Sequence, residues 1–224
     1  MVVRRAAWIM ADPEFQYFRT PETCMSAPID FYFDFSSPYG YLASEQIDAL
    51  AARHGRAVMW HAIVLDAQFQ PQGGVKIPAA LMRTDYVKRD TERSAAFLGI
   101  PYAEPAQYPV HTEHAARAFQ WLSDRNPDEA RAFAHAVFRA YFVEGRNIAE
   151  TGVLLDIADT LELDRDEVSA AFSDSATKAR IKAEIDLAEA RGVFGSPFFI
   201  VEGEAFWGND RFPQLERWLE KGPF

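Results

Sequence analysis

Alternating apolar and polar residues predict the first β-strand of the chain at residues 29–35. Within this run, isoleucine and phenylalanine side chains occupy every second position and two aspartates fall between them. A period of two is typical of a strand that buries one face. Apolar residues then recur at helical spacing from Pro38 to about His54, where Gly55 suits the end of a helix. The run Ala57–Val64 predicts a second strand.

A strand, a helix and a strand in this order predict two parallel strands joined by a right-handed crossover. Helical spacing then dominates a long tract, with helices predicted at about Pro78–Leu98, His111–Ser123, Asp128–Val143, Glu150–Leu161, Asp164–Phe172 and Ser175–Gly192. Strand patterns return at Pro197–Val201 and Ala205–Trp207, with Gly203 suited to a hairpin turn between them. A last helix is predicted at Arg211–Glu220, so the chain is expected to have an α/β fold.

The length of 224 residues predicts either one domain or one domain that carries a large insertion. Residues 1–26 show no clear periodicity, and Met25 is a plausible true start, so we expect an N-terminal extension outside the fold. The domain is then expected to span residues 27–224, with a helical insertion at about 66–192. No internal repeat interrupts this organisation.

Composition narrows the class of protein. A net charge of -10 and a pI near 5.0 argue against a nucleic-acid partner. No apolar run approaches the roughly 20 residues that a membrane-spanning helix needs. Cys24 is the single cysteine, so an intrachain disulfide and a Cys-x-x-Cys pair are both excluded, which fits a reducing cytoplasm. We therefore expect a cytoplasmic protein that binds neither nucleic acid nor membrane.

Ser37 lies at the junction between the first strand and the first helix, and Pro38 follows it. Proline suits the first helical turn, where its missing N–H costs no hydrogen bond. Two interpretations stay open from spacing alone. Ser37 is a good N-cap residue, and the free amides and positive dipole end of a helix N-terminus also favour a bound thiolate, carboxylate or phosphate.

Four short motifs together resemble the 2-hydroxychromene-2-carboxylate isomerase family, which belongs to the DsbA branch of the thioredoxin fold and is related to kappa-class glutathione transferase. They occur in the family's order from about Ile29 to the C-terminus: Phe31–Ala43, Gly99–Pro101, Val193–Pro197 and Trp207–Arg211. The resemblance implies a thioredoxin-like fold, βαβ followed by ββα, with a large inserted all-helical subdomain.

The resemblance also implies chemistry with glutathione as cofactor. Ser37 takes the position where disulfide oxidoreductases have the attacking cysteine, and its hydroxyl would donate to the glutathione thiolate. The family isomerises 2-hydroxychromene-2-carboxylate, an intermediate of aromatic catabolism, to trans-o-hydroxybenzylidenepyruvate by reversible thiolate addition. Two alternatives stay open: a kappa-like transferase that conjugates electrophiles, and a non-catalytic glutathione-binding accessory protein. Disulfide exchange is excluded because the motif Ser37–Gly40 has no thiol.

Further glutathione contacts follow from the same resemblance. Ser196 and Pro197 correspond to the cis-proline turn, which pairs with the peptide backbone of glutathione beside Pro38. Asn209 and Asp210 would hold its γ-glutamyl end. Because these two residues precede the last helix, either one is also an ordinary candidate for its N-cap, and the two roles are compatible.

Three other residues are candidates with simpler alternatives. Lys76 stands beside the position where family members carry a polar glutathione contact. Tyr39 and Trp207 are expected to wall a small aromatic or enone carboxylate substrate, although core packing is an equal alternative for Trp207. The pattern of Tyr86, Asp90 and Arg93 fits either the family's helix motif or a solvated face with one ion pair.

No metal site is predicted, because His111 and His114 have no carboxylate cluster at a ligand spacing. A homodimer is expected from the resemblance. The sequence leaves the physiological electrophile open.

Overall fold

The computed structural model describes residues 27–65 and 85–224. Within these ranges the chain forms a four-stranded sheet in the order β2-β1-β3-β4. The strands are β1 (Ile29–Phe33), β2 (Val58–Ala62), β3 (Phe198–Val201) and β4 (Glu204–Trp207). β1 pairs with β2 in parallel, and the two other pairs are antiparallel. The predicted βαβ unit and C-terminal hairpin are therefore confirmed.

The helices follow the predicted order closely. α1 (Pro38–Arg53) joins β1 to β2, and α8 (Phe212–Lys221) follows β4. Between β2 and β3 the described part of the chain forms α2 (Asp85–Leu98), α3 (Glu113–Ser123), α4 (Pro127–Phe142), α5 (Thr151–Thr160), α6 (Arg165–Ala171) and α7 (Ser175–Ala190). The predicted thioredoxin-like fold with a helical insertion is confirmed. Residues 78–84 of the predicted helix Pro78–Leu98, like residues 1–26, lie outside the described ranges.

Aromatic side chains join the sheet to the insertion. Phe33 of β1 packs at 5.2 Å from the ring of Phe119 on α3 and at 5.6 Å from Phe138 on α4. All three side chains are buried to within 1% of full burial. Such rings each remove a large apolar surface from water, so this contact fixes the insertion against the strand that leads into the candidate site.

The opposite face of the sheet carries polar contacts to α7. His61 on β2 bonds Asp30 of β1 at 2.8 Å and Glu184 of α7 at 2.7 Å. Arg191, just after α7, bonds the second oxygen of Asp30 at 2.6 Å. Because α7 ends here, these ion pairs set where the chain turns back toward β3.

A two-residue turn connects β3 to β4. Glu202 and Gly203 have φ angles of 54° and 87°, the combination that tight hairpin turns require. The turn returns β4 along β3, so that residues 208–211 come to lie beside the start of β3. Within the described ranges, no helix combines the length and the apolar character needed to cross a membrane.

Candidate active site

Ser37 caps the N-terminus of α1, as one of the two interpretations of the sequence predicted. Its backbone is extended, and its hydroxyl oxygen accepts a hydrogen bond from the Gly40 N–H at 3.0 Å. Pro38 occupies the first helical turn. The Gly40 N–H is therefore bonded to Ser37 and is not available to a bound anion. The positive end of the α1 dipole still points at the site.

The Ser37 hydroxyl also donates a hydrogen bond to the carbonyl oxygen of Ser196 at 2.9 Å. In the reverse direction, the Ser196 hydroxyl accepts from the N–H of Asp34 at 2.9 Å. The Ser196–Pro197 peptide bond is cis, as the resemblance implied. Two reciprocal bonds thus tie the turn before α1 to the turn before β3, and both turns present polar groups to the same spot.

Gly40 is the position where these two turns come closest. A Cβ atom added there would lie 2.7 Å from the Ser196 hydroxyl oxygen and 3.2 Å from the Cβ of Ser37. Carbon and oxygen atoms do not approach to 2.7 Å without displacement of one of them. The absence of a side chain at Gly40 is therefore what allows α1 to begin beside Ser196.

The buried carboxylate of Asp34 stabilises the turn that precedes α1. Asp34 is 1% exposed, and its carboxylate accepts from the N–H groups of Ser36 at 2.7 Å and Leu65 at 2.5 Å, and from the Thr112 hydroxyl at 3.1 Å. Burial raises the pKa of Asp34, and the hydrogen bonds from Leu65, Ser36 and Thr112 oppose that rise. One side chain thus links β1, the segment after β2 and the loop before α3.

The segment after β4 completes the site. The N–H of Gly208 donates to the carbonyl oxygen of Pro197 at 3.1 Å. The side-chain amide of Gln46 on α1 donates to the Oδ1 atom of Asn209 at 3.0 Å. Asp210 is exposed and lies 3.0 Å from the guanidinium of Arg211. The segment is therefore held to α1 through Asn209 and to the start of β3 through Gly208, and the glutathione contacts of Asn209 and Asp210 stay a prediction.

The predicted N-cap role of Asn209 and Asp210 is wrong. Residues Asn209–Arg211 form a short 3-10 turn, α8 begins at Phe212, and no side chain caps it. The reason is that residues 209–211 are themselves wound into this turn, so the N-cap position of α8 falls on Arg211. Asn209 accepts from Gln46 instead, and the carboxylate of Asp210 is directed to Arg211.

Tyr39 and Trp207 contact different parts of the structure. The Tyr39 hydroxyl donates to Asp90 on α2 at 2.7 Å, and Asp90 also pairs with Arg93. Burial first and the Asp90 carboxylate second raise the pKa of Tyr39, so its hydroxyl stays protonated. Trp207 is 45% exposed and packs edge-on against Phe194 at 4.8 Å, so the core alternative for this residue is wrong. Their substrate contacts stay a prediction.

Three supporting residues were not singled out from the sequence: Asp34, Gly40 and Gln46. Asp34 lies on the polar side of the predicted strand, a pattern that indicates exposure to solvent. Its burial arises from Leu65 and Thr112, which lie far along the chain. A glycine in the first turn of a predicted helix is an available signal for Gly40, because alanine is the better helix former.

Two predictions remain, the glutathione contact of Lys76 and the absence of a metal site. Lys76 lies outside the described residues. Across residues 27–65 and 85–224, no group of three or more His, Cys, Asp or Glu side chains is arranged to hold a metal ion.

Comparison with known proteins identifies the family of this chain. Residues 28–220 match the DSBA-like thioredoxin domain. A 2-hydroxychromene-2-carboxylate isomerase of Pseudomonas putida is 31% identical over 191 residues, 84% of this chain and 92% of that protein. One from Sphingobium xenophagum is 29% identical over 87% of this chain and 99% of its own length. A solved structure of 2-hydroxychromene-2-carboxylate isomerase superimposes with a TM-score of 0.77 at 30% identity, covering 86% of this chain and 94% of that one. The chain therefore belongs to the 2-hydroxychromene-2-carboxylate isomerase family of DSBA-like thioredoxin-fold proteins.

Proposed function

We propose that this protein is a glutathione-dependent isomerase that converts 2-hydroxychromene-2-carboxylate, or a similar intermediate of aromatic catabolism, to trans-o-hydroxybenzylidenepyruvate. The observation that carries the proposal is the hydrogen bond between Ser37, at the start of α1, and Ser196, in the turn before β3. Ser37 bonds the carbonyl of Ser196, and Ser196 precedes the cis proline. Family membership supports the same reaction.

The residues around Ser37 fit glutathione, which is a peptide with one thiol and a charged γ-glutamyl end. The N–H of Ser196 has no acceptor among the described residues, so an extended peptide has a backbone donor to pair with. Asp210 and Arg211 offer an exposed carboxylate and guanidinium, which complement the ammonium and carboxylate of a γ-glutamyl group. Ser37, Pro38, Ser196, Pro197, Asn209 and Asp210 would hold the cofactor.

Bound at these residues, glutathione would supply the thiolate nucleophile for reversible addition to the substrate, whose chromene ring has to open for the isomerisation. Ser37 stabilises the negative sulfur by turning its hydroxyl from the Ser196 carbonyl toward it. The positive end of the α1 dipole lowers the thiol pKa at the same place. Substrate and product have the same atoms and oxidation state, so the reaction needs no thiol from the motif Ser37–Gly40.

The proposal extends to the setting of the enzyme. We expect a homodimer that works in the cytoplasm, where glutathione is abundant in its reduced form. The composition supports a reducing compartment, since Cys24 is the single cysteine of the sequence. Light scattering on the purified full chain measures the oligomeric state, and a mass of one chain overturns the dimer.

The experiment uses the purified full chain with 2-hydroxychromene-2-carboxylate, with and without reduced glutathione. We expect conversion to the trans product only when glutathione is present, with glutathione unchanged in amount at the end. Equal rates without glutathione overturn the proposed chemistry. Accumulation of a stable glutathione conjugate, detected by mass spectrometry, assigns the kappa-like transferase activity instead. Tight glutathione binding by calorimetry with no product from any enone tested assigns the accessory role.

A further inference from the structure

A cavity opens beside Pro38, on the side of the insertion. Its volume is about 260 Å³, and the described residues around it include Pro38, Lys88, Thr91, Tyr102, Glu104 and Tyr108. Except for Pro38, no residue of this set stands out in the sequence. Sites for drug-sized ligands measure roughly 300 to 1,000 Å³, so this cavity suits a smaller molecule.

Two phenol hydroxyls at the cavity have no partner within the described residues. Other partly or fully buried tyrosines do bond the protein: Tyr39 donates to Asp90, and Tyr41 donates to the carbonyl of Pro101. Tyr102 and Tyr108, which are partly buried, make no such bond to a described residue. Neither hydroxyl is among the buried polar atoms without a partner, so both reach solvent and can exchange water for an acceptor on a ligand.

The hydroxyl of Tyr108 remains a donor at neutral pH. Burial raises its pKa to about 12, and the carboxylates of Asp34 and Glu104 add to the rise. Both carboxylates are thus near enough to act on the phenol by their charge. Since Pro38, the residue after Ser37, and Tyr108 both line the cavity, the cavity lies next to the candidate site.

One ion pair crosses the wall of the cavity. The ammonium of Lys88 on α2 lies 2.9 Å from a carboxylate oxygen of Glu104, in the loop between α2 and α3. The Lys88 side chain is 51% exposed. Exposed pairs of this kind contribute little to stability, so an incoming carboxylate can replace Glu104 as the partner of Lys88.

We propose that this cavity binds the substrate as a planar aromatic carboxylate. Lys88 pairs with the carboxylate group, and the hydroxyls of Tyr102 and Tyr108 donate to the remaining oxygen atoms. The inference rests on the proposed function for the identity of that substrate, and it adds the residues that select for it. Glu104 competes with the ligand for Lys88, so removing its charge strengthens binding.

The test is a binding measurement without glutathione and without turnover, so its result is independent of the isomerase assay. Calorimetry on the full chain compares 2-naphthoate with its uncharged analogue, 2-naphthamide. We expect 2-naphthoate to bind at least about threefold more tightly, as one partly exposed ion pair provides. Lys88→Met abolishes the preference, and Glu104→Gln increases it. Lys178→Met, a change to an exposed lysine of α7, leaves all affinities as they are.

Two results overturn the inference. One is equal binding of 2-naphthoate and 2-naphthamide to the unchanged protein, because Lys88 then selects nothing. The other is a Lys88→Met protein that retains both its fold, by circular dichroism, and its preference for the carboxylate. If the isomerase assay fails while the naphthoate preference follows Lys88 and Glu104, the proposed reaction is wrong and the aromatic carboxylate site stands.

Discussion

The hydroxyl of Ser37 lies 2.9 Å from the carbonyl oxygen of Ser196, and this bond joins segments 159 residues apart in the sequence. In the same arrangement the Ser37 oxygen accepts from Gly40, so one hydroxyl both starts α1 and holds the cis-proline turn against it. The cap uses only the oxygen atom of the hydroxyl. A ligand that accepts a hydrogen bond from Ser37 therefore replaces the Ser196 carbonyl as the acceptor, and the cap can stay in place.

The first prediction concerns that hydroxyl. Ser37→Ala removes a donor to a charged sulfur, so we expect kcat/KM to fall about 10- to 100-fold and the rise of activity with pH to move to higher pH. The lost cap lowers the free energy of unfolding by about 1 kcal/mol. Rates measured from pH 5 to pH 9 check both effects. Ser36→Ala is the matched control, and Ser37→Thr, which keeps the hydroxyl, restores activity. An unchanged pH profile contradicts the role of Ser37.

The second prediction concerns the close approach at Gly40. Gly40→Ala places a methyl group 2.7 Å from the Ser196 hydroxyl oxygen, so Ser196 must rotate and lose its bond from Asp34. We expect lower stability and a severalfold loss of kcat/KM, although alanine in a helix is otherwise favoured by about 1 kcal/mol. Gly152→Ala, on α5 with no atom within 4 Å of the added methyl, is the matched control and should be neutral or stabilising. Equal effects at both glycines argue against a tight contact.

The third prediction concerns Gln46, whose amide holds Asn209 from α1. Gln46→Met keeps the length of the side chain and removes its donor. A neutral hydrogen bond contributes about 0.5 to 1.5 kcal/mol, so we expect the glutathione Kd to rise about 2- to 12-fold. The same lost bond lowers the free energy of unfolding, and the melting temperature should fall by about 2 to 4 °C for each kcal/mol lost. Calorimetric titration with glutathione checks this, and an unchanged Kd separates Asn209 from the cofactor site.

The fourth prediction concerns pH and His135, which lies on α4 between two carboxylates of α1. Burial alone lowers the pKa of His135, but its contacts with Asp48 and Glu45 outweigh burial and raise it to about 9. A raised histidine pKa contributes stability that is complete below about pH 6.5, the unfolded value, and is lost as pH rises toward 9. Urea unfolding at pH 6, 7.5 and 9.5 measures this loss.

His135→Gln removes the titrating group, so its stability should fall less between pH 6 and pH 9.5 than that of the unchanged protein. His111→Gln, a change to an exposed histidine, serves as the control and keeps the full pH dependence. Parallel pH curves for the protein and the His135 variant would assign the dependence to other groups.

Local patterns were enough to predict the elements of this fold. The period-two run at 29–35 and the helical spacing after Pro38 both depend on neighbours in the sequence, and β1 and α1 formed where they indicated. The strand stops at Phe33 and not at Phe35, because Asp34 turns inward to accept bonds from Leu65 and Thr112. Partners so distant along the chain leave no trace in a local pattern.

The site divides in the same way. Ser37, Ser196 and Pro197 were predicted because each belongs to a short motif with a characteristic order. Gln46 and Lys88 were not, because their roles come from residues that meet only after folding, Asn209 and Glu104. The error at Asn209 is one of position: a sequence shows that a residue suits a cap, but not that a 3-10 turn moves the start of the helix to Phe212.

The buried carboxylate of Asp34 bears on how this fold can be redesigned. Its three donors come from the turn beside Ser37, from Leu65 and from the loop that carries Thr112. A shortened protein that lacks the insertion would keep the charge and lose the Thr112 hydroxyl and the cover over it. Transferring this serine site to a thioredoxin without the insertion therefore requires a substitution of Asp34 as well, because the insertion supplies one of its hydrogen bonds and covers it from solvent.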